Sequence, residues 1–223
     1  DRISFRMAVS VTAEIVGLTN SDLESMSQRI EHFGRGPAIA ARGGLWKTIA
    51  NLRNAYWALR IFSKDVKPTI AARRRQRRED VISRLIDEGR SDREILAECL
   101  TFGLAGMTTS REFMVVAAWH LLDNADLRQR YLAGDVSDKM AILMEILRLE
   151  PVAGMIYRRA SEDVIGTTDD PIMQGERLSL HIREANLDEA EVGPCPLKLD
   201  PDRAKTLKVN GAYMSFGDGV HFC

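Results

Sequence analysis

The feature that most restricts the fold is a long apolar helical segment with no charged residue at its centre. Ser91 and Glu94 form a capping-box sequence, which predicts a helix that begins just after Ser91. Apolar residues then recur at helical spacing as far as Leu121, and no charged residue occurs from Cys99 to Ser110. A surface helix would carry a polar stripe along its whole length. We therefore expect this helix to cross the interior of the molecule.

The rest of the sequence predicts a mainly α-helical fold with small β-sheets. Helical periodicity covers residues 5–128, except for a glycine-rich segment at 32–44 that we expect to be a loop. Another helix is expected to begin at Asp138 and to stop at Pro151. From Ser161 onward Gly, Pro and Asp become frequent, with short β-prone pieces such as 177–182. This predicts a helical part at about 1–150 and a part of loops and small strands at about 151–223.

Net charge and hydropathy exclude several classes of partner. The formal net charge of −1 provides no overall field that would attract nucleic acid or an anionic membrane. The arginine-rich run at 73–78 is followed by acidic residues, so we interpret it as a solvated helix face. No secretory signal pattern and no uncharged apolar run long enough for a membrane span occurs. We expect a cytoplasmic protein that binds neither nucleic acid nor a membrane.

The cysteines support the same compartment. Cys99, Cys195 and Cys223 are an odd number at wide spacing, and Cys99 lies in an apolar run where a buried thiol is common. This pattern does not fit a disulfide framework. A reducing environment suits it better.

A glycine-rich segment with several chemically useful side chains closes the sequence, which reads FGDGVHFC over residues 216–223. Gly217 and Gly219 allow a tight turn and a close approach to a flat ligand. A haem-thiolate loop needs a ring to shield the sulfur, a donor for a propionate and a cysteine for the iron. Phe216, His221 and Cys223 supply these in that order.

Two plainer interpretations of this segment stay open. One is a glycine hairpin with an incidental cysteine. The other is a zinc site that uses His221 and Cys223, which would need two more ligands. The candidates for those ligands are the isolated Cys195, His181 and His120.

A charged pair lies in an otherwise apolar helical segment. Glu145 and Arg148 are three residues apart, so they share a helix face. A routine surface ion pair is one interpretation. However, a single carboxylate cannot satisfy the five N–H donors of an arginine, so we expect further polar partners for Arg148. Arg203 would complete a Glu-Arg-Arg cluster.

Two small residues and three hydroxyls occupy the centre of the long helix. They are Ala105, Gly106, Thr108, Thr109 and Ser110. Hydroxyls in such a place usually donate to the carbonyl four residues back. The small pair also lets a bulky partner lie against the helix backbone.

In this order and spacing, these three features resemble the cytochrome P450 family, in its bacterial type. The segment ending at Cys223 matches the haem-loop pattern FxxGxxxC, and Glu145 and Arg148 match the ExxR helix. The stretch 105–110 resembles the oxygen-binding part of the long distal helix.

Two further segments agree with the resemblance. Arg158 resembles the arginine that meets a haem propionate, and Arg203 the third member of the Glu-Arg-Arg cluster. The resemblance covers most of the chain and is weakest before Lys64.

The resemblance implies a P450 fold, incomplete at both ends, with haem b between the long helix and the cysteine loop. It implies an oxidoreductase, a monooxygenase that takes electrons from a ferredoxin or similar donor and acts on a small, largely apolar organic molecule. Thr109, with Thr108 beside it, would act on bound oxygen. The iron ligand would be Cys223, and the other haem contacts would be Ala105, Gly106, Arg158, Phe216, Gly217 and His221.

Two stretches depart from the family pattern. Thr108 stands where the family usually has Asp or Glu, and 184–191 reads EANLDEAE in place of AANRDP-like text. Two other classes of function therefore stay open. One is a haem-thiolate protein with different chemistry, such as a peroxygenase or isomerase, and the other is a non-enzymatic helical ligand-binding module.

Overall fold

Helices account for most of the residues that the computed structural model describes, which are 2–40, 42–166, 170–207, 213–219 and 222–223. The backbone divides into two compact units, Asp1–Glu112 and Phe113–Cys223. The expected class, mainly α with a small β-sheet, is confirmed. Among the described helices, none combines the length and hydropathy that would be needed to cross a membrane.

The first unit is built from helices joined by short turns. In chain order they are α1 (Arg2–Val16), α2 (Leu23–Gly34), α3 (Gly36–Ala40), α4 (Leu45–Ile61), a π-helical turn (Phe62–Val66), α5 (Lys67–Arg75), α6 (Val81–Asp87) and α7 (Asp92–Asp123). Residues 92–112 of α7 belong to this unit. The apolar faces of these helices form one core, which includes Val9, Met26, Ile61, Ile70 and Ile95.

Helix α7 begins where its capping box predicts. The backbone N–H of Ser91 donates to Glu94 Oε2 at 2.8 Å, and the N–H of Glu94 donates to Ser91 Oγ at 3.3 Å. These bonds satisfy donors that the first turn of a helix leaves without partners. The helix then continues for 32 residues.

In its first half α7 is buried along one face, and for the other face the expectation that α7 crosses the interior stays a prediction. The buried positions in its first half are residues 95, 99, 103 and 107, which form a stripe because residues four apart share a face. The exposed positions include Phe102, Ala105, Thr108 and Thr109. The uncharged centre of α7 therefore packs on one side and is open on the other.

The glycine-rich segment at 32–44 contains a short helix, where the sequence predicted a loop. Pro37 occupies the first turn of α3, where its missing N–H costs nothing. A Cβ on Gly36 would overlap the amide group of Asn54, so this glycine lets α3 approach α4. The turn follows at Gly43 and Gly44, which both have positive φ.

The second unit combines helices with a two-stranded antiparallel sheet. The helices are α8 (Ala125–Ala133), α9 (Val136–Leu149), α10 (Ile182–Ala185), α11 (Glu189–Val192) and α12 (Arg203–Leu207), with a 3₁₀ turn at Tyr213–Phe216. Strand β1 (Met155–Arg159) pairs with β2 (Arg177–His181), which confirms the β-prone piece expected there. Leu127, Ile142 and Ile146 form the buried core.

Helix α9 begins at Val136, two residues before the predicted start. The side chain of Asp135 accepts a hydrogen bond from the N–H of Asp138 at 2.9 Å and caps the helix. The sequence predicted a helix that begins at Asp138, with no cap assigned.

The interpretation of 73–78 as a solvated helix face is wrong for Arg73, whose side chain is only 3% exposed. Its guanidinium pairs with Asp80 and donates to Gly17 O at 3.0 Å and to Thr19 Oγ1 at 2.9 Å. Burial alone would raise the pKa of Asp80, but hydrogen bonds from Arg73 and Ser83 outweigh it and hold that pKa below its usual value.

We expect Arg73→Ala to lower the free energy of unfolding by about 3–5 kcal/mol, because it leaves the buried carboxylate of Asp80 without its partner. Arg74 is the matched control, since its ion pair with Asp92 is exposed. Arg74→Ala should lower the free energy of unfolding by less than about 1 kcal/mol. Urea unfolding measures both, and equal losses would contradict the buried role of Arg73.

Candidate functional site

Glu145 and Arg148 form a buried ion pair on α9, so the surface interpretation is wrong. Their side chains are 4% and 0% exposed. Arg148 Nε donates to Glu145 Oε2 and Arg148 Nη2 to Glu145 Oε1, both at 2.8 Å. This two-pronged geometry is the strongest form of an arginine-carboxylate contact.

The further partners expected for Arg148 are present, and they are backbone carbonyls. Arg148 Nη1 donates to Asn186 O and Nη2 to Pro196 O, each at 2.8 Å. One carboxylate and these carbonyls together give the guanidinium the partners that a buried cation needs.

Arg203 completes the expected Glu-Arg-Arg cluster. Its Nε donates to Glu145 Oε1 at 3.2 Å, and the N–H of Asp200 donates to the same oxygen at 3.1 Å. The remaining donors of Arg203 bind the carbonyls of Val192, Pro194, Cys195 and Lys198. The cluster therefore organises the loop that runs from 192 to 203.

The sequence reasoning missed Asn186, which is fully buried beside this cluster. It lies in the stretch EANLDEAE, where the asparagine of the AANRDP-like text is kept although Leu187 and Glu189 differ from that text. That retained asparagine was the available signal.

The cysteine loop follows the 3₁₀ turn. The N–H of Cys223 donates to Phe216 O at 3.0 Å, which closes the loop. Gly217 and Gly219 have φ of 72° and 70°, values that glycine adopts readily. The Cys223 side chain is free and exposed, and Phe216 is half-buried. His221, the expected propionate donor, lies outside the described residues.

The other two cysteines differ from Cys223 in their surroundings. Cys99 is buried, and burial, with the nearby charges of Glu98 and Asp80, raises the pKa of its thiol to about 12. It therefore stays a neutral thiol. Cys195 is exposed, and its carbonyl oxygen accepts from Arg203 Nη2 at 3.0 Å.

The described part of the chain gives the zinc interpretation no support. Within it, His, Cys, Asp and Glu side chains form no group of three or more that could hold a metal ion. His181 Nδ1 lies 3.0 Å from Glu184 Oε2, on an exposed pair.

The small residues and hydroxyls of α7 have different environments. Thr109 Oγ1 donates to Ala105 O at 2.5 Å, which is the ordinary helical bond. Thr108, Thr109 and Ala105 are exposed. Gly106 instead faces α1, because a Cβ there would lie 3.4 Å from the side chain of Thr12. This is an ordinary van der Waals distance, so packing against α1 does not by itself require glycine at this position.

Arg158 lies on β1 with its side chain exposed. Its Nη1 donates to Tyr157 O at 3.0 Å, and no carboxylate among the described residues pairs with it. Arg158, Phe216, Gly217 and Cys223 belong to the second unit, and residues 105–109 to the first.

Comparisons with known proteins extend over almost the whole chain. No protein-family model matches it. Pulcherriminic acid synthase of Bacillus subtilis is 29% identical over 226 residues, which cover 97% of this chain and 54% of that protein. A 2-hydroxy-5-methyl-1-naphthoate 7-hydroxylase of Streptomyces carzinostaticus is 32% identical over 152 residues, or 65% of this chain and 35% of that protein.

Solved structures of cytochrome P450s also match the chain. P450BioI, in complex with acyl carrier protein ligated with hexadec-9Z-enoic acid, matches with a TM-score of 0.77 and 26% identity, over 99% of this chain and 54% of that chain. The chain belongs to the cytochrome P450 family. This P450 chain spans about half the length of the curated relatives it matches.

The residues of this P450 fit the haem iron that the family implies. Cys223 offers a free, exposed thiol, and a Cβ built on Gly219 would meet nothing within 4 Å. The loop therefore leaves open space at Gly219, four residues before the exposed thiol of Cys223.

Arg148→Ala should give a P450 that is recovered largely as haem-free or aggregated protein. The change leaves the buried Glu145 with Arg203 alone and removes the bonds from Arg148 to backbone carbonyls, which we expect to cost about 3–5 kcal/mol. Arg183→Ala is the control, because Arg183 pairs with Glu150 at an exposed position. Soluble yield and bound haem per chain measure the effect. Normal values for Arg148→Ala would show that the cluster is dispensable.

Proposed function

We propose that this P450 is a monooxygenase that inserts one atom of O₂ into a small, largely apolar organic substrate. The observation that carries the proposal is the free, exposed Cys223 thiol in a glycine loop closed by the bond from Cys223 N to Phe216 O. The buried cluster around Glu145 supports it, since it anchors the segments that lead to this loop.

In this proposal Cys223 ligates the iron of haem b as a thiolate, with Phe216 and Gly217 beside it. Arg158 and His221 would bind the propionates, and the exposed guanidinium of Arg158 suits that role. Bound haem supplies the oxidative chemistry, in which one oxygen atom enters the substrate and the other leaves as water. The protein contributes the ligand, the orientation and the protons.

Thr109 would orient the water that delivers those protons. Its hydroxyl hydrogen is engaged by Ala105 O, so the oxygen has lone pairs left to accept a hydrogen bond. A water that donates to Thr109 is thereby held in one orientation. Thr108 is exposed beside it but cannot ionise, so it would orient water without storing a proton.

The substrate and the electron donor follow from the same proposal. Exposed apolar side chains that suit an apolar substrate occur at Phe102, Val152 and Met155. Electrons would come from a separate donor, a ferredoxin or similar protein. The three free cysteines suit a cytoplasmic location.

Thr108 also favours a second candidate, a haem-thiolate enzyme driven by peroxide. Without a carboxylate at that position, proton delivery relies on water alone. Turnover supported by peroxide but not by a reductase and O₂ would select this candidate. A colourless protein expressed from the complete gene would instead favour a non-enzymatic ligand-binding module.

We expect the protein expressed from its complete gene, reduced under carbon monoxide, to show the strongly red-shifted Soret band of thiolate ligation. Cys223→Ser should abolish this band, because a hydroxyl is a poor substitute for a thiolate. Cys195→Ser is the matched control, since that thiol is also free and exposed, and it should leave the band in place. A Cys223→Ser protein that keeps the band would refute Cys223 as the ligand.

Thr109→Ala should release more peroxide and less oxygenated product per reductant consumed, because the proton-delivering water is no longer held. Thr101→Ala is the matched control, since the Thr101 hydroxyl also donates to the carbonyl four residues back, at 2.9 Å. Thr101→Ala should keep the wild-type yield of product per reductant consumed. Thr108→Ala should give a yield between those of Thr101→Ala and Thr109→Ala. Product and peroxide are assayed together, and equal coupling in all three variants would reduce Thr109 to an ordinary helix threonine.

A further inference from the structure

The side-chain amide of Asn186 lies between α9 and the 3₁₀ turn that precedes the cysteine loop, and the residue is 0% exposed. Its Nδ2 donates to Arg148 O at 3.1 Å and to Ser215 Oγ at 2.9 Å. Its Oδ1 accepts from the N–H of Met214 at 3.0 Å. A single side chain thus joins the helix of the buried cluster to the turn before Cys223.

These bonds allow only one orientation of the amide. Both Nδ2 hydrogens are used, and Ser215 Oγ gives its own hydrogen to Leu147 O at 3.0 Å. A flipped amide would place an oxygen against Arg148 O and a nitrogen against the N–H of Met214. Both contacts would be repulsive, so the arrangement is fixed by hydrogen bonding.

The arrangement also caps the end of α9. Leu147 O and Arg148 O belong to the last turn, whose carbonyls have no partner inside the helix. Ser215 and Asn186 supply those partners. In return, Arg148 Nη1 donates to Asn186 O at 2.8 Å, so that each residue binds the backbone of the other.

The turn that Asn186 holds is strained. Tyr213 has φ of 48°, which is unfavourable for a bulky residue and persists only where the surroundings enforce it. The N–H of the next residue, Met214, is the one that donates to Asn186 Oδ1. The turn ends at Phe216, whose carbonyl accepts from Cys223 N.

We propose that Asn186, acting with Ser215, is a positioning residue that sets where the Cys223 sulfur stands. The inference rests on the proposed function, because it concerns thiolate ligation of haem. Loss of the amide should release the 3₁₀ turn while leaving the Glu145 cluster its other bonds. Haem is then retained in part, but with the sulfur displaced from the iron.

The test compares Asn186→Ala and Ser215→Ala in the protein expressed from its complete gene. At equal bound haem, the share of the reduced carbon monoxide complex that lacks the red-shifted band should rise at least about fivefold in Asn186→Ala, as expected for the loss of a buried hydrogen bond. Ser215→Ala should shift it less. The double variant should exceed Asn186→Ala only slightly, because the two residues share a bond.

Ile142→Ala is the control for general destabilisation. Ile142 is buried in the core of the same unit, so the variant should lower the melting temperature. It should leave the share of red-shifted complex unchanged. If it shifts that share as much as Asn186→Ala does, the positioning role is refuted.

Hydrogen exchange of haem-free protein gives a second readout that does not depend on ligation. In the peptide that contains residues 213–219, exchange should be faster in Asn186→Ala than in Ile142→Ala. If Asn186→Ala does not fold, Ser215→Ala decides by the same two measurements. A red-shifted band in wild type with no change in either variant refutes the positioning role alone. A wild type without that band refutes the proposed function and this inference with it. Faster exchange of residues 213–219 in Asn186→Ala would still show that Asn186 holds the 3₁₀ turn.

Discussion

Two guanidinium groups converge on the buried carboxylate of Glu145, and the organisation of the second unit depends on how their charges are satisfied. Removing such groups from water costs several kcal/mol for each ion, so every donor needs a partner. Glu145 itself cannot supply enough acceptors for Arg148 and Arg203. The remaining acceptors are backbone carbonyls of Asn186 and of the segment 192–198. The segment 192–198, which has little regular structure, is therefore held in place by hydrogen bonds from Arg148 and Arg203.

Two features of the structure could be predicted from the sequence, because each follows from a physical rule that is local or strict. The capping box at Ser91 sets the start of α7, and an arginine in an apolar helix requires partners beyond one glutamate. Arg73 could not be separated from its neighbours in the same way, since its burial depends on Asp80, Gly17 and Thr19. The short helix α3 was missed because Gly and Pro usually end a helix, whereas here Pro begins one. Asn186 gave no periodic signal, and its role depends on contacts with residues distant in sequence.

Helix α7 combines two requirements in one sequence. Its buried stripe at every fourth residue accounts for its packing in the first unit, and the opposite face is exposed and uncharged at its centre. Exposed apolar surface of this kind usually marks a place where something else binds. The three cysteines also differ in their surroundings. Burial raises the pKa of the Cys99 thiol to about 12, so this thiol stays neutral. Cys195 and Cys223 are exposed, the first on the loop held by Arg203 and the second after a glycine turn.

The long sequence separations within the cluster have a kinetic consequence. Glu145 and Arg203 are 58 residues apart, and Arg148 and Asn186 are 38 apart. Contacts of this kind form only after the entropy of closing a long loop has been overcome, so they tend to form late in folding. By contrast, α7 and its cap depend on neighbours a few residues away and can form early. The cysteine loop should thus be ordered among the last parts of this unit, and a newly made chain would pass through a stage with its helices formed and its thiol not yet placed.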